Sequence, residues 1–380
     1  MPNAMDPPDH AAWRALVDSF FAPPLIATLE PRVRGIAEAA VAALPRRSAV
    51  DAVAQLGNPF AVRAQTEWLG WQGIEDELLA WMADNHAATR SGDRMRNAAV
   101  AAAFDEIIRA QLRRRREQGA AAPTDPTTTL LAATVDGRPL GEADIVSILR
   151  NWAAGDLASM ATAIGVAVWS LATHPDVQQE LRQHPEGLAS AIDEMLRIDD
   201  PFLVNRRVTT RAARNGGHEL AAGTRVYLNG CSANRDEAVF GDPDAYRPER
   251  NAHRNLVYGT GIHACPGPPL ATMELVTVAQ AVLAGHTVLF VTAGHLLGDL
   301  AALDSDSTLR RRLRHYAAPD VLLIVSVQPP HLDRTGARGY RGAVAAPTKA
   351  THSTRLSAPS MRNFSASVRT ASKSCSPRYP

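Results

Sequence analysis

Over the first 280 positions, apolar residues recur mostly at helical spacing. Residues 25–44, 74–82, 100–115 and 145–172 each place apolar side chains three or four apart, which predicts helices with a buried face. Pro and Gly clusters such as 120–126 separate them. Asp6-Pro7-Pro8-Asp9 reads as a helix start: an Asp cap, prolines tolerated in the first turn, and a second acid near the positive end of the dipole. The basic run 111–116 predicts a solvated helix end. Between 201 and 234 the period shortens. Residues 206–210 and 224–228 are β-branched and alternating around Gly216-Gly217 and Ala222-Gly223, which predicts strands joined by turns. Residues 241–256 show no periodicity and read as a long irregular loop, the length a functional segment takes. A further helix is expected from near Pro268 to about Ala284.

Beyond that helix the pattern changes. Residues 287–291 read as a strand, 296–303 and 308–316 as helices, and 320–325 as a second buried strand, a β–α–β order seen nowhere earlier. From Val327 onward no apolar face recurs. A stretch of Ser, Thr, Ala, Pro, Gly and Arg cannot bury enough surface to offset its ordering entropy, so 327–380 is expected to be a disordered basic tail. The expected domains are therefore 1–280, 281–326 and 327–380.

Composition adds one anomaly. The 380 residues are 46% hydrophobic and 21% charged, ordinary for a globular chain with room for one large domain or two modest ones. No apolar run approaches the ~18 residues of a membrane span, and residues 1–10 lack a basic-then-apolar signal region. Three cysteines, Cys231, Cys265 and Cys375, exclude a disulfide framework, so a reducing cytoplasm with no membrane attachment is expected. The net charge of +1 is unevenly made. Residues 327–380 hold nine Lys/Arg and one Asp, a charge of +8, which leaves −7 for residues 1–326. A basic tail can touch nucleic acid, but charge alone does not make a nucleic-acid partner the expectation.

The sharpest chemistry lies in Tyr258-Gly259-Thr260-Gly261-Ile262-His263-Ala264-Cys265-Pro266-Gly267. Gly259, Gly261 and Gly267 bracket a lone cysteine in a loop that runs into a helix. Glycines there let the backbone turn tightly and approach a flat ligand. A thiolate held by backbone N–H groups near a helix start has a lowered pKa and is a soft metal ligand. Two other readings stand beside it: a buried structural cysteine next to a Gly-rich turn, and a nucleophile with His263 two residues away.

This loop resembles the haem-binding loop of the cytochrome P450 family, aromatic-Gly-x-Gly-x-His-x-Cys-x-Gly, with every constrained position met. The resemblance implies that Cys265 is the axial thiolate to the iron of haem b, a ligand that favours O–O cleavage, and that His263 reaches a propionate. Other segments resemble the family in the right order. Glu194-Met195-Leu196-Arg197 is similar to the Glu-x-x-Arg of the K helix, its charges on one helical face; taken alone it is a generic surface pair. Arg250, in Arg247-Pro248-Glu249-Arg250, matches the third, structural member of the family's Glu–Arg–Arg cluster. Arg207 matches a strand arginine that pairs with a propionate, and His10 and Arg14 resemble the propionate-binding pair of the C helix. Cations set against two carboxylates hold an anionic cofactor. The resemblance covers about residues 5–280. It implies a mainly α fold with a small β part, and a monooxygenase that inserts one oxygen atom of O2 into an apolar organic substrate with electrons from a ferredoxin-type donor.

Two departures qualify the resemblance. The family's distal helix reads Ala-Gly-x-acid-Thr, whereas here it reads Ala154-Gly155-Asp156-Leu157-Ala158-Ser159. Either Asp156 and Ser159, three apart, replace the acid–alcohol relay, or Asp156 sits at a helix bulge facing water. The fold is also expected to be incomplete at both ends, because the family's N-terminal strands and C-terminal hairpin have no counterpart. Residues 284–324 instead resemble the ATP-binding helper proteins of insertion-sequence transposons, interrupted after about Val325. The acidic pair that follows the strand in those ATPases is lost, and no Gly-Lys dipeptide exists to form a P-loop. The alternatives to an active monooxygenase are a haem-binding-only or non-functional remnant and, more weakly, an ATP- or DNA-linked transposition helper.

Overall fold

Helical periodicity becomes a mainly helical structure. The computed structural model describes residues 5–45, 50–285, 288–292, 306–317 and 321–325. Helices α1 (His10–Ser19) and α2 (Pro23–Ala42) come first, then a π-helical turn (Ala52–Gly57) that leads into α3 (Asn58–Leu69). Helices α4 (Glu75–Ser91), α5 (Arg94–Gln118) and α6 (Pro126–Ala132) precede a minimal hairpin, β1 (Thr134–Val135) and β2 (Arg138–Pro139). The apolar run at 145–172 is the inner part of α7 (Glu142–Thr173), followed by α8 (Pro175–Gln183) and α9 (Leu188–Ile198).

The expected strands form two antiparallel pairs. Strand β3 (Asn205–Val208) pairs with β6 (Arg225–Leu228), with Arg207 opposite Val226. Nested between them, β4 (Ala213–Asn215) pairs with β5 (His218–Leu220) across the Gly216-Gly217 turn. Between β6 and the cysteine loop stand the single-turn helices α10 (Gly230–Ala233), α11 (Glu237–Phe240) and α12 (Pro248–Asn251), and of these only α12 falls within the irregular segment 241–256. Helix α13 (Pro268–Gly285) then packs along α2, α7 and α9. Beyond it, β7 (Val288–Thr292) and β8 (Val321–Val325) pair in parallel, with α14 (Asp306–Ala317) between them in sequence, and β7 lies against α7. The helix expected at 296–303 and the tail 327–380 lie outside the described residues.

Helix α7 is the centre of the body because its sequence leaves it no polar face wide enough for solvent. By length and hydropathy it could cross a bilayer, yet Ile145, Leu149, Trp152, Leu157, Met160, Ile164 and Leu171 are buried within this chain. The π-helical turn approaches α7 closely: a Cβ on Gly57 would stand 2.6 Å from the Ala161 carbonyl oxygen, so only glycine permits this contact. Phe20 and Phe21, in the α1–α2 link, meet Trp68 of α3 and Trp152 of α7 with ring centroids 5.0–5.6 Å apart, an aromatic cluster that fixes α1 against the core.

Two expectations about helix ends are corrected. Helix α1 begins at His10, four residues after Asp6. The Asp6 carbonyl accepts the His10 N–H at 3.3 Å, and Asp9, at the cap position, makes no side-chain cap bond. The basic run 111–116 is not uniformly solvated. Arg113, Arg114 and Arg116 are exposed, but Gln111 and Arg115, four apart on the inner face with Ile108, are buried. Arg115 pairs with Asp125 (2.6 Å) and donates to the Gly70 carbonyl, while Asp125 also caps α6 by accepting the Thr128 N–H at 2.8 Å. One guanidinium thus ties the ends of α3, α5 and α6 together.

Candidate functional site

The loop between α12 and α13 is shaped by its own backbone. Gly259 and Gly261 adopt φ of +70° and +76°, a region costly for any residue with a Cβ. The chain reverses there so that the Cys265 N–H donates to the Tyr258 carbonyl at 2.8 Å and the Ala264 N–H to the Gly261 carbonyl at 3.1 Å. The turn presents the Cys265 sulfur outward, where it accepts the Gly267 N–H at 3.3 Å. A Cβ on Gly267 would lie 3.6 Å from both that sulfur and the Phe21 ring. Phe21, one of the clustered aromatics, therefore backs the cysteine loop; the Phe20-Phe21 pair just before Pro23 was its sequence signal.

The thiol is not acidified by this setting. Burial pushes Cys265 up, the Gly267 N–H pulls it down by less, the negative charge of Asp156 adds to the rise, and Arg14 opposes it. The expectation of a lowered thiol pKa is corrected: one N–H bond does not offset desolvation, and a bound cation would be needed to hold the sulfur as thiolate. Cys231 is different again. Its sulfur donates to the Phe202 carbonyl at 3.2 Å, and burial pushes it up to about 11, which makes it an inert thiol. Cys375 lies outside the described residues.

Positive charge gathers beside the loop. Arg14 of α1 reaches across to donate to the carbonyls of Ala264 (2.6 Å) and Ile262 (3.2 Å) and pairs with Asp18 at 2.6 Å. His10, one turn earlier, is buried, and its ring meets that of His263 edge-on at a centroid distance of 4.9 Å. Its Nε2 is buried without a hydrogen-bond partner among the described residues. Burial lowers the His263 pKa, and His10, Arg207 and Arg14 lower it further. Arg207 of β3 thus stands within electrostatic reach of the same group, though its guanidinium donates to the neighbouring Arg206 carbonyl at 2.8 Å. The structure brings two arginines, Arg14 and Arg207, to the side of the loop where the imidazoles of His10 and His263 meet, His263 being pushed toward its neutral form.

On α7, one stripe is left uncovered. Ala154, Gly155 and Thr162 are exposed and Ala158 and Ser159 half-buried on a helix whose other faces are core. All have small side chains, as a wall beside a flat ligand requires. The charge of Asp156 acts on both Cys265 and Tyr258, so this part of α7 lies beside the cysteine loop. Ser159 donates back into its own helix, to the carbonyls of Gly155 (2.7 Å) and Asp156 (3.1 Å). Asp156 is not at a water-facing bulge: α7 runs unbroken, the Oδ2 atom is buried without a partner, and burial pushes the carboxyl up to about 7.

The remaining expected residues anchor the segment 234–251 to α9. Arg197 is fully buried. It makes two bonds to Glu194 (2.7 and 2.9 Å), donates to the carbonyls of Asn234 (2.7 Å) and Pro243 (2.9 Å), and sits 4.6 Å over the Phe240 ring. Glu194 also accepts the Arg247 N–H (2.9 Å) and the Asn251 amide (2.8 Å). Arg250, expected as the third member, is exposed and lies over Gly241. Helix α12 is one turn long, so the side chain facing α9 is Asn251 and its neighbour Arg250 points away. Nothing in the order of residues distinguished the two.

An exposed sulfur in a glycine turn, a stripe of small residues left open on α7, two arginines and an orphaned imidazole nitrogen form a donor set suited to a flat, anionic, metal-centred group, and the residues present fit haem. The comparisons with known proteins agree. The cytochrome P450 family model matches residues 78–293. The cyclomarin C epoxidase of Salinispora arenicola is 32% identical over 83% of this chain and 80% of its own length, and the linalool 8-monooxygenase of Pseudomonas putida is 30% identical over 73% and 68%. Among solved structures, cytochrome P450 CYP109Q5 from Chondromyces apiculatus has a TM-score of 0.67 at 28% identity, covering 74% of this chain and 71% of its own. A mutant of P450 EryK in complex with erythromycin B gives 0.66 at 28%, covering 74% and 72%. The chain belongs to the cytochrome P450 family, with that family's mainly helical fold, its haem b cofactor and its monooxygenase activity.

Proposed function

We propose that this chain is a haem-thiolate monooxygenase of small apolar molecules in which Cys265 ligates the iron. The observation that carries the reading is the outward sulfur of Cys265, held by the Gly267 N–H in a glycine turn whose carbonyls Arg14 of α1 also binds. His10, Arg14, Arg207 and His263 would bind the two propionates, with the unpartnered His10 Nε2 as one contact. When bound, haem supplies the chemistry of dioxygen reduction and transfer of one oxygen atom to a C–H or C=C bond. The chain's own residues do the rest. Gly259 and Gly261 set the turn, Phe21 and the tryptophans exclude water behind the sulfur, and Ala154, Gly155 and Ala158 leave room for the ligand. Asp156 and Ser159 are the polar groups α7 offers beside that space, and Asp156 is the one with an unengaged carboxyl oxygen.

Reductants and organic substrates are general to bacterial members of the family. We infer a ferredoxin-type donor and a cytoplasmic location, the latter supported by the low cysteine content, three in 380 residues. Residues 1–280 are read as the catalytic body. For 281–326, a segment similar to an insertion-sequence ATPase is supported by the parallel β7–β8 pair with α14 between. Against it, the family model runs on to residue 293.

The test is the carbon monoxide difference spectrum of the reduced protein. A thiolate-type Soret band that vanishes in Cys265→Ser is the expected result. Haem uptake with an unchanged spectrum in that variant would overturn the assignment, and no haem uptake would overturn the enzyme reading as a whole.

A further inference from the structure

One buried amide joins the segment that enters the cysteine loop to the segment that enters β3. Asn234, which closes α10, is fully buried. Its Nδ2 donates to the Asp200 Oδ2 and to the Asn255 Oδ1, both at 3.2 Å, and its Oδ1 accepts the Leu256 N–H at 2.8 Å. A carboxylate on one side and an N–H on the other leave the amide a single orientation. Toward the loop, Asn255 also accepts the Val257 N–H at 2.9 Å and donates to the Asp193 carbonyl of α9 at 2.8 Å. The Leu256 carbonyl accepts the Gly259 N–H at 2.8 Å, so the first glycine of the turn is placed from Asn234 in two steps. Toward β3, Asp200 accepts the Phe202 N–H at 2.8 Å and so fixes the stretch 202–204, which leads to Arg207. Packing holds that stretch only lightly: Phe202, Leu203 and Val204 are 39–48% exposed.

We propose that Asn234 is a positioning residue that couples the Cys265 loop to Arg207, its amide setting where the metal-ligating sulfur stands relative to the cation that meets a propionate. The proposal rests on the haem-thiolate reading above. A rigid flat ligand must find its axial sulfur and its carboxylate partner at one fixed separation, and slack in either segment weakens both contacts together. A buried polar network with every member satisfied supplies that rigidity. The Asn234 side chain has both hydrogens donated and its oxygen engaged, and it is the only group bonded to Asp200 and to the 255–256 segment at once among the described residues. Arg197 reaches Asn234 only through its backbone carbonyl, at 2.7 Å, so the coupling through the amide is separable from the Glu194–Arg197 pair. Helix α10 packs on the same node: a Cβ on Gly230 would stand 3.1 Å from the Asp200 Oδ2.

Asn234→Asp tests the coupling, because it keeps the size and the acceptor for Leu256 but removes both donors and sets a second carboxylate against Asp200. Amide hydrogen exchange of the full chain without haem, read peptide by peptide, should rise at 202–207 and at 255–259 together, with α3 and α5 unchanged. Adding Asp200→Asn returns a donor between the two positions and should restore protection in both segments. A rise confined to one segment, or no restoration, overturns the coupling. If Asn234→Asp fails to fold, Asp200→Ala decides: it cuts only the arm toward β3, yet should still loosen 255–259, and unchanged exchange there overturns the proposal. Haem affinity, read as quenching of tryptophan fluorescence on titration with haemin, should fall about tenfold in Asn234→Asp. Arg207→Met should then weaken binding several-fold less in the Asn234→Asp background than in the wild type. Equal losses in both backgrounds overturn the positioning role and leave Asn234 a structural residue. No haem uptake by the wild type overturns the haem reading instead, and the exchange result still decides the coupling.

Discussion

Replacing Arg197 by Met isolates what the buried Glu194–Arg197 ion pair contributes. The substitution keeps roughly the volume and the apolar stem but removes both bonds to Glu194 and those to the Asn234 and Pro243 carbonyls. Glu194, 1% exposed, then keeps only the Arg247 N–H and the Asn251 amide. An uncompensated buried charge costs about 3–5 kcal/mol. Each buried carbonyl left unpaired adds roughly 1–3 kcal/mol. Against a total stability of about 5–15 kcal/mol, the single variant should be unfolded or close to it at room temperature. Adding Glu194→Gln removes the stranded charge, so the double variant should recover about 2 kcal/mol or more relative to Arg197→Met alone. Urea denaturation followed by circular dichroism, with the slope m compared between variants, reads both quantities. A loss under ~1 kcal/mol for Arg197→Met, or a double variant no more stable than the single, would refute the claim that stranded charge dominates.

Two further outcomes follow from separate features. Gly70 ends α3 with φ +75°, and a Cβ there would stand 2.0 Å from the Asp125 Oδ2, so Gly70→Ala should lose more than the ~1–2 kcal/mol of left-handed strain alone, read as a lower urea midpoint. Asp199 and Asp200 are both pushed up to about 6, chiefly by burial. Since their folded pKa exceeds the unfolded value near 4, the stability they contribute is full below about pH 4 and falls as pH rises through 6. Asp199→Asn should flatten that slope in chemical denaturation across the window, and an unaltered slope would count against the burial argument.

Local pattern sufficed for much of this protein. The 3.6-residue apolar period placed α2, α5, α7 and α13 to within a few residues at the core ends, because a helix that must bury one face writes that face into its sequence. The glycine turn around Cys265 was equally legible, since φ near +70° at Gly259 and Gly261 is a local demand that glycine meets best. Other features depend on which surfaces meet. Arg113, Arg114, Arg115 and Arg116 are one basic run in the chain, and only packing against Gly70 and Asp125 buries the third of them. Asn251 rather than Arg250 meets Glu194 because a one-turn helix aims neighbouring side chains about 100° apart. Cys265 carries a raised thiol pKa because desolvation, a property of the assembled body, outweighs its single N–H bond. Asp156 and Glu274 stand 118 positions apart in sequence and enter each other's field only when α7 and α13 pack. Periodicity and turn chemistry act within a few residues of chain, whereas charge, burial and proton affinity are set by neighbours that only the folded body supplies.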